Sequence, residues 1–469
     1  MTLPNILVLQ YLKKSGGANP EVLMKAEQFV RTGYQRLLTF EVAGGGFSWF
    51  GETPANVMLS AYGLVEFAEM AKVIPIDDQI LPRTRAWLIS RRLPDGHFEE
   101  QRSAHSLRTG DSRYALTAFV TWALLAAGAR PAEVQPSLGY LLDGLAGESD
   151  PYALSLVLNA LALVPERKSE AQRLARRLLD GRKAGWAPAR CTLVSSSGQT
   201  GEVEVTSLAT LGLIALSMEA GAIRDCVRWL LKAKDAAGLW GTTTSSVLAL
   251  KALLADQCRQ PIADPFKGTV KVTVNDRVAA EIPVSDRTYD VVQLVDLKEF
   301  TTIGDHRVSL TAELSAPQVF AVQLVSSYYL PWETPGASAA APGPLSVKQT
   351  YDRTTLAVDD LMKARVELTS SGPASGSMVL LDLGIPPGFS VETGSLEPLV
   401  ESRTISRFEP SGRQLTLYLP PLQPGRSVTF EYALRARFPI RAASPPSAGY
   451  EYYNPRIRCD IAPVGLEVR

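Results

Sequence analysis

The sequence has few cysteines and few histidines for its 469 residues, four of the former and three of the latter. Cys191, Cys226, Cys258 and Cys459 form no Cys-x-x-Cys pair, so neither a disulfide framework nor a zinc signature is present. Buried free thiols are the simplest interpretation, and one long-range bridge between Cys191 and Cys226 is the alternative. Because the histidines show no ligand spacing either, we expect no metal and no cofactor.

The sequence also lacks an excess of either charge. Lys and Arg total 48, Asp and Glu total 48, and the formal net charge is +0. A neutral chain gives no reason to expect nucleic acid or an anionic membrane as a partner. No apolar run reaches the roughly 18 residues of a membrane span. The first residues lack the basic region, apolar run and cleavage site of a signal peptide. We therefore expect a folded protein of two or three domains without membrane insertion.

Residues 1–259 have a helical and repetitive pattern. Near-continuous apolar segments recur there, and each carries a Ser or Thr at a comparable position. Steps of 57, 38, 52 and 39 residues separate these positions, and steps of this size fit one helix pair per repeat. The aligned positions are Ser60, Thr117, Ser155, Ser207 and Ser246.

Two kinds of helical segment alternate in this part of the chain. Residues 152–164 have only Ser155 and Asn159 as clearly polar side chains, so a helix there must be buried on nearly all sides. Segments such as 171–180 place Lys, Arg and Glu on one face. Inner and outer helices in alternation, joined by turns that pair a glycine with an aromatic residue, predict an α/α toroid. These turns are Gly46-Phe47, Gly96-His97-Phe98, Gly185-Trp186 and Gly238-Leu239-Trp240-Gly241.

After residue 259 the pattern changes to a period of two, which is typical of strands. Residues 269–274 and 278–284 flank the turn Asn275-Asp276 and predict a β-hairpin. Further strands are expected at 306–314 and 318–329. The predicted units are the toroid at 1–259, a small β module at 260–335, a linker at 336–344 and a β-sandwich at 345–469.

Several short stretches match one known family. In the helical part they are Pro4-Asn5-Ile6, Thr32-Gly33-Tyr34-Gln35-Arg36, Phe50-Gly51-Glu52, Pro94-Asp95-Gly96, Ala115-Leu116-Thr117-Ala118-Phe119 and Glu202-Val203-Glu204-Val205-Thr206-Ser207. In the last module they are Pro387-Gly388-Phe389 and Tyr450-Glu451-Tyr452-Tyr453. Together with the order of the units, these stretches resemble the C-terminal part of the alpha-2-macroglobulin and complement thioester family.

The resemblance implies both a fold and a function. The units would be a thioester-type helical domain, the second half of a CUB-like module and a receptor-binding-type macroglobulin domain. The family traps proteases or tags targets through an internal thioester between a Cys and a Gln. Its Cys-Gly-Glu-Gln-type motif would lie a few residues before Met1, and no cysteine here has Gln three residues on. We therefore expect a C-terminal portion without the thioester, the bait region and the first half of the β module.

His105 is the residue for which the resemblance suggests chemistry. Some complement-type members carry a His after the Phe of the Asp-Gly-x-Phe turn, and it attacks the thioester to direct acyl transfer to hydroxyls. Phe98 and His105 are seven residues apart, one fewer than in that pattern. His105 is thus the candidate acyl-transfer histidine, and a surface-loop histidine is the alternative. His97 lies inside the turn and is interpreted as structural.

Carboxylates supply the rival hypothesis, from a different class of protein. α/α toroids also serve cyclases, lyases and glycosidases, which use paired carboxylates as acid and base. Such an enzyme needs its carboxylates on the loops at one rim. The pair Asp77-Asp78 precedes an amphipathic segment, where Asp more simply caps a helix. The rim candidates are Asp77, Asp78, Asp95, Glu99, Glu100 and Asp111.

The last module carries two further predictions from the resemblance. The receptor-binding segment of the animal family uses lysines on a short helix, and Thr393 and Glu397 stand at those positions here. Neither side chain replaces an ammonium donor, so we expect no binding to a lysine-seeking receptor. Tyr452 and Tyr453 are interface candidates, because they would lie near the toroid face that shields the thioester in the family. An edge strand of the sandwich is the alternative for them.

The combined prediction is a protein that binds its targets and is not a self-sufficient enzyme. The resemblance implies a macroglobulin-like endopeptidase inhibitor or innate-defence protein, extracellular in animals or periplasmic in bacteria. Its partners would be proteases or cell-surface targets, engaged through the full-length protein. A scaffold that keeps only protein-binding surfaces is the third hypothesis.

Overall fold

The structure is a computed structural model. It describes residues 2–15, 20–99, 112–189, 191–235, 238–259, 266–285, 288, 293–316, 318, 320, 322–327, 343–371, 378–422 and 425–469.

Eleven helices of the described chain build the N-terminal part, and they alternate between two rings. The inner helices are α1 (Thr2–Ser15), α3 (Val57–Met70), α5 (Arg113–Ala126), α7 (Pro151–Ala162), α9 (Gly198–Ala215) and α11 (Thr243–Arg259). The outer helices are α2 (Pro20–Leu38), α4 (Ile80–Ser90), α6 (Pro131–Gly144), α8 (Lys168–Asp180) and α10 (Ala220–Lys232). Each inner helix packs on the next inner helix, and α11 returns to contact α1, so the ring is closed.

The polarity of the sequence sorts the helices between the rings. In α7 ten of the twelve residues are buried, which is what a helix apolar on nearly all sides requires. In α8 only Ala171, Leu174, Ala175 and Leu178 are buried, and they recur at the spacing of one helix face. The predicted α/α toroid is confirmed.

A repeated hydrogen bond ties the glycine-aromatic turns to the inner helices. In each case the backbone N–H of the aromatic residue donates to a hydroxyl on the following inner helix. The pairs are Phe47 N to Ser60 Oγ at 2.8 Å, Phe98 N to Thr117 Oγ1 at 2.9 Å, Trp186 N to Thr206 Oγ1 at 3.1 Å and Trp240 N to Ser246 Oγ at 3.1 Å. The prediction that aligned Ser207 with these positions is wrong by one residue, since Thr206 makes the bond.

The small β module is a three-stranded antiparallel sheet in the order β4-β3-β5. Its strands are β3 (Lys267–Val274), β4 (Arg277–Ser285) and β5 (Val308–Leu314). A separate sheet of two short strands, β1 (Glu41–Val42) and β2 (Gly46–Phe47), lies earlier in the chain, within the toroid. Asn275 and Asp276 both have positive φ, of 48° and 66°, as a type I′ hairpin turn needs. The predicted hairpin is confirmed. The strand predicted at 318–329 does not form in the described residues of that range.

The C-terminal part is a β-sandwich. One sheet has the order β10-β13-β8-β6, a second has β11-β12-β9-β15-β16, and three short strands pair as β14-β17-β7. In β8 buried and exposed side chains alternate without a break, which places one face in the core. The strands are β6 (Leu345–Tyr351), β7 (Thr355–Leu356), β8 (Leu361–Ser370), β9 (Val379–Gly384), β10 (Phe389–Glu392), β11 (Arg407–Ser411), β12 (Gln414–Leu419), β13 (Ser427–Ala436), β14 (Ile440–Ala443), β15 (Ser447–Glu451), β16 (Asn454–Ile461) and β17 (Gly465–Val468). A toroid followed by β modules is therefore the observed fold class, as predicted.

Candidate functional site

The candidate site is the end of the toroid at which the inner helices begin, called here the N-terminal rim. Because the outer helices return the chain, the six inner helices run in the same direction and start at this rim. The glycine-aromatic turns lie there, and so does the start of α9. The N-terminal rim is also where the β-sandwich contacts the toroid.

The start of α9 carries that contact. Thr200 Oγ1 lies 2.5 Å from the carbonyl oxygen of Tyr453 and 2.8 Å from that of Ser197, so its hydroxyl proton is donated towards both. Gly198 has φ +53°, and a Cβ on it would stand 2.7 Å from Asn454 Nδ2. The turn that joins β15 to β16 is therefore seated on the helix start, and a side chain at position 198 would require the Asn454 side chain to move.

Tyr452 and Tyr453 form this turn. Their rings meet edge to face with centroids 4.9 Å apart. The Tyr452 side chain is exposed, whereas Tyr453 is partly buried, and this burial raises the pKa of the Tyr453 hydroxyl. The hydrogen bond to α9 uses the backbone carbonyl of Tyr453 and neither of the two side chains.

Glu204 lies one helical turn below Thr200 in α9. The residue is only 1% exposed, and its Oε1 has no hydrogen-bond partner among the described residues. Burial raises the pKa of its carboxyl to about 7, although the hydroxyls of Ser196 and Thr192 act in the opposite direction. The carboxyl is thus poised to change charge near neutral pH.

The residues 191–197 cover that carboxyl with a tight turn. Ser196 O accepts from Thr192 N at 3.0 Å, and Thr192 Oγ1 accepts from Ser196 N at 3.2 Å. Leu193 N donates to the hydroxyl of Tyr152 on α7 at 3.3 Å. The turn leads directly into Gly198, so it fixes the position of the helix start.

His97 makes a local cluster in its turn. Its Nδ1 lies 2.6 Å from Asp95 Oδ1, its Nε2 lies 3.3 Å from Glu99 Oε1, and its ring stacks on Tyr140. These contacts hold the ring within the turn, which fits the structural interpretation. The candidate acyl-transfer residue His105 lies outside the described residues.

The carboxylates proposed for a toroid enzyme do not share a rim. Asp77 and Asp78 lie between α3 and α4, at the end where α3 stops, whereas Asp95 and Glu99 lie at the N-terminal rim. A helix of 14 residues such as α3 separates the two ends by roughly 20 Å. The expectation that they line one rim is therefore wrong for these four, and Glu100 and Asp111 lie outside the described residues.

Asp77 has a structural role at the opposite rim. Its Oδ1 accepts from Gln79 N at 3.0 Å, and its Oδ2 lies 2.5 Å from Arg83 Nη1 on α4. Gln79 is the N-cap residue of α4 and makes no side-chain cap bond. The capping prediction is therefore only partly right, because Asp77 braces the helix from two residues upstream.

The cysteines and the ligand sets give no sign of a metal or disulfide site in the described chain. All four cysteines are free thiols, so the alternative bridge between Cys191 and Cys226 is not formed. Across the described ranges, no three His, Cys, Asp or Glu side chains converge to hold a metal ion. None of the described helices combines the length and the apolar character that crossing a bilayer requires.

Thr393 and Glu397 lie in the connection between β10 and β11. Thr393 begins a short 3-10 helix, Thr393–Ser395, and Glu397 begins α12, Glu397–Glu401. The two predicted receptor positions therefore sit on a short helical segment at the surface of the sandwich.

Sequence reasoning missed Thr200 and gave Glu204 no role. Glu204 stood in a quoted stretch, and a carboxylate between two valines at the start of a mostly apolar run was the available signal. Thr200 carried no signal, because its partner lies 253 residues further along the chain.

Comparisons with known proteins agree with this architecture. Residues 1–255 match the model of the A-macroglobulin TED domain, and residues 374–462 match the A-macroglobulin receptor binding domain. Among curated proteins, ovostatin of Gallus gallus is 25% identical over 96% of this chain and 31% of its own length. Complement C3 of Oncorhynchus mykiss is 26% identical over 98% of this chain and 29% of its own length.

Solved structures share the fold. Native alpha-2-macroglobulin from Escherichia coli, spanning domain MG7 to the C-terminus, has a TM-score of 0.63 at 16% identity and covers 98% of this chain and 70% of its own. Salmonella alpha-2-macroglobulin reacted with methylamine has a TM-score of 0.63 at 16% identity, over 97% of this chain and 28% of its own.

The chain thus spans about 30% of the length of the two curated relatives. The match to the TED model covers more than half of its 469 residues. The resemblance predicted from the sequence is confirmed, and the chain belongs to the alpha-macroglobulin family.

Proposed function

We propose that this chain acts within a macroglobulin-like endopeptidase inhibitor or innate-defence protein, by binding and conformational exposure and not by turnover. The observation that carries the proposal is the Tyr452–Tyr453 turn of the sandwich seated on the N-terminal rim through Thr200. A rim covered by a separate module becomes accessible when that module moves away.

The partners in this proposal are proteases or cell-surface targets, met outside the cytoplasm, in the extracellular space or the periplasm. The resemblance supports them, together with the relatives named above. The N-terminal rim is the surface at which such a target would gain access. His105, the candidate acyl-transfer residue, precedes α5 in the sequence, and α5 starts at the same rim.

The covalent step in this proposal depends on residues outside this chain. No cysteine here is followed by Gln at the third position, and α1 begins at Thr2. The family motif would therefore place its thioester at the start of α1, on the N-terminal rim. Methylamine is a suitable probe, because a small amine opens a thioester by forming an amide and releasing the cysteine thiol.

The experiment uses the gene product with the codons upstream of Met1 included. We expect one equivalent of methylamine to be incorporated with release of one thiol. Replacing Thr200 by Val should speed incorporation, because the sandwich turn then loses its hydrogen bond to the rim. Incorporation of no methylamine by the native protein would remove the covalent part of the proposal.

The matched control is Thr210→Val in the same helix. Thr210 is fully buried and donates to Thr206 O within α9, far from the sandwich turn. This variant should leave the rate of incorporation at the native value. Equal acceleration by Thr200→Val and Thr210→Val would show that general loosening of α9, and not the contact with Tyr453, sets the rate.

A second part of the proposal concerns the receptor segment. Thr393 and Glu397 replace the lysines that the animal family uses, and neither offers an ammonium group. We propose that the sandwich does not bind a lysine-seeking receptor. Surface plasmon resonance with such a receptor should show no complex, and nanomolar binding would contradict this part.

A further inference from the structure

The contact between the toroid and the sandwich rests on a turn that lies over a buried carboxyl, one oxygen of which has no hydrogen-bond partner among the described residues. The backbone of residues 192–196 is closed by three hydrogen bonds of 2.9 to 3.2 Å. Gly198 and Thr200, which follow, hold the sandwich at Asn454 and Tyr453. Any movement of the 192–196 turn therefore moves the seat of the sandwich.

Glu204 is the group under this turn, and its environment favours the neutral form of the carboxyl. Glu204 Oε1 and Ser196 Oγ both lack a hydrogen bond of normal geometry within the described chain. A protonated carboxyl costs little in such a site, whereas a carboxylate without a cation or full hydrogen bonding is strongly disfavoured. Burial accordingly raises the pKa of Glu204 to about 7.

No charge in the described surroundings offsets ionisation of Glu204. The elements around α9 are the 191–197 segment, α7, α8, α10, α11 and β16, and the hydroxyls of Ser196 and Thr192 are the groups that act on the carboxyl. On β16, Arg458 pairs with Asp460 and Arg456 is exposed. The 191–197 segment adds only the Cys191 thiol, α7 adds the Tyr152 hydroxyl, which accepts from Leu193 N, and α9 itself adds Glu202. The other charged side chains on these elements are either exposed or paired. The exposed ones include Lys168, Arg173, Arg176, Asp180, Arg224 and Lys232. Among the paired ones, Asp150 accepts from Tyr152 N and Ala189 N, and the ion pairs are Glu170 with Arg167, Asp225 with Arg182 and Arg228, Asp256 with Arg259, and Lys251 with Glu69.

We propose that Glu204 is a proton-operated latch for the contact between the N-terminal rim and the sandwich. While the carboxyl holds its proton, the 192–196 turn stays closed over it and the Tyr452–Tyr453 turn stays seated on α9. When the proton leaves to solvent, the carboxylate needs water, and the 192–196 turn opens to admit it. Opening shifts Gly198 and Thr200 and releases the sandwich. The latch is independent of any thioester.

Hydrogen exchange followed by mass spectrometry on the chain itself tests the latch. Protection of residues 191–200 and 451–456 is measured against pH and corrected for the intrinsic exchange rate. If opening restores the ordinary pKa of the carboxyl, the opening equilibrium should rise about tenfold between about pH 6 and about pH 8. Both segments should lose protection together over that interval.

Glu204→Gln keeps the size of the side chain and removes the proton equilibrium. In this variant the corrected protection of both segments should not change with pH. The matched control is Glu202→Gln on the same helix, which should keep the native profile. The proposal would be overturned if protection in Glu204→Gln changed with pH as it does in the native chain. It would also be overturned if protection in Glu202→Gln no longer changed with pH.

The variant Thr200→Val provides a second test, in which Glu204 is unchanged. It should expose residues 451–456 to exchange at every pH, while residues 191–197 keep their dependence on pH. If the pH dependence of 191–197 disappears with the sandwich contact, then the sandwich drives the transition and Glu204 is not the latch. If Glu204→Gln does not fold, this variant decides the question.

Discussion

Lys251 Nζ on α11 lies 2.8 Å from Glu69 Oε1 on α3, across 182 residues of sequence. Gln10 on α1 donates to Glu69 Oε2 at 2.9 Å, and Lys72 reaches the same oxygen at 2.7 Å. The Glu69 side chain is only 10% exposed. Three inner helices therefore meet at one carboxylate, at the place where the first and last helices close the ring.

Replacing Lys251 by Met should destabilise the toroid at neutral pH. Burial alone would raise the pKa of Glu69, but Lys251 and Lys72 lower it to about 2. Without Lys251 the buried carboxylate loses its main partner, and we expect the free energy of unfolding to fall by about 2 kcal/mol. Urea unfolding followed by tryptophan fluorescence measures this loss.

The double variant Lys251→Met with Glu69→Gln is the control, since it removes both charges and should recover part of the loss. The sign of the pH effect follows from the lowered pKa. Stability from this pair is complete above about pH 4.5, the usual value for Glu, and is lost as the pH falls towards about 2. Equal losses in the single and double variants would show that packing, not charge, closes the ring.

Gly96→Ala should be costly although it adds one methyl group. Gly96 has φ +99°, and a Cβ there would run into the backbone carbonyl of Pro136 on α6. We expect a loss of about 2 kcal/mol or more in the free energy of unfolding. Gly139 is on α6, as Pro136 is, and a Cβ added to it would meet nothing within 4 Å. Gly139→Ala should therefore stabilise the protein by about 0.5 kcal/mol. A neutral result for Gly96→Ala in thermal melts would contradict the close approach.

Ser60→Ala and Ser207→Ala form a matched pair. Both side chains are fully buried on inner helices, but Ser60 Oγ accepts from Phe47 N and donates to Asn56 O, whereas Ser207 Oγ has no partner among the described residues. Loss of the Ser60 hydroxyl leaves a buried N–H unpaired and should cost about 2 kcal/mol. Ser207→Ala should change stability by less than about 0.5 kcal/mol. Chemical denaturation of both variants checks the difference, which should vanish if the hydroxyl bonds are unimportant.

Glu204 should make the protein less stable as the pH rises. Its folded pKa of about 7 lies above the usual 4.5, so the folded state binds the extra proton between these values and loses stability across that window. Glu204→Gln should be more stable than the native chain at about pH 8, by up to about 3 kcal/mol, and no more stable at about pH 4. Thermal melts at the two pH values measure this. An equal difference in stability between the variant and the native chain at both pH values would show that packing causes the effect.

The sequence by itself determined the elements and their order. Helix periodicity and polarity sorted segments such as 152–164 into the inner ring and 171–180 into the outer ring, because burial on all sides demands an apolar surface. The Asn275-Asp276 dipeptide determined the hairpin, because both residues tolerate the positive φ of its turn. The quoted stretches determined the family.

The tertiary structure decided what depends on helix phase and chain direction. A shift of one residue rotates a side chain by about 100° around a helix, so only packing could select Thr206 over Ser207. The direction of α3 sent Asp77 and Asp95 to opposite ends. The bond from Thr200 to Tyr453 and the burial of Glu204 join segments that no local pattern relates, because long-range contacts follow from how whole modules pack.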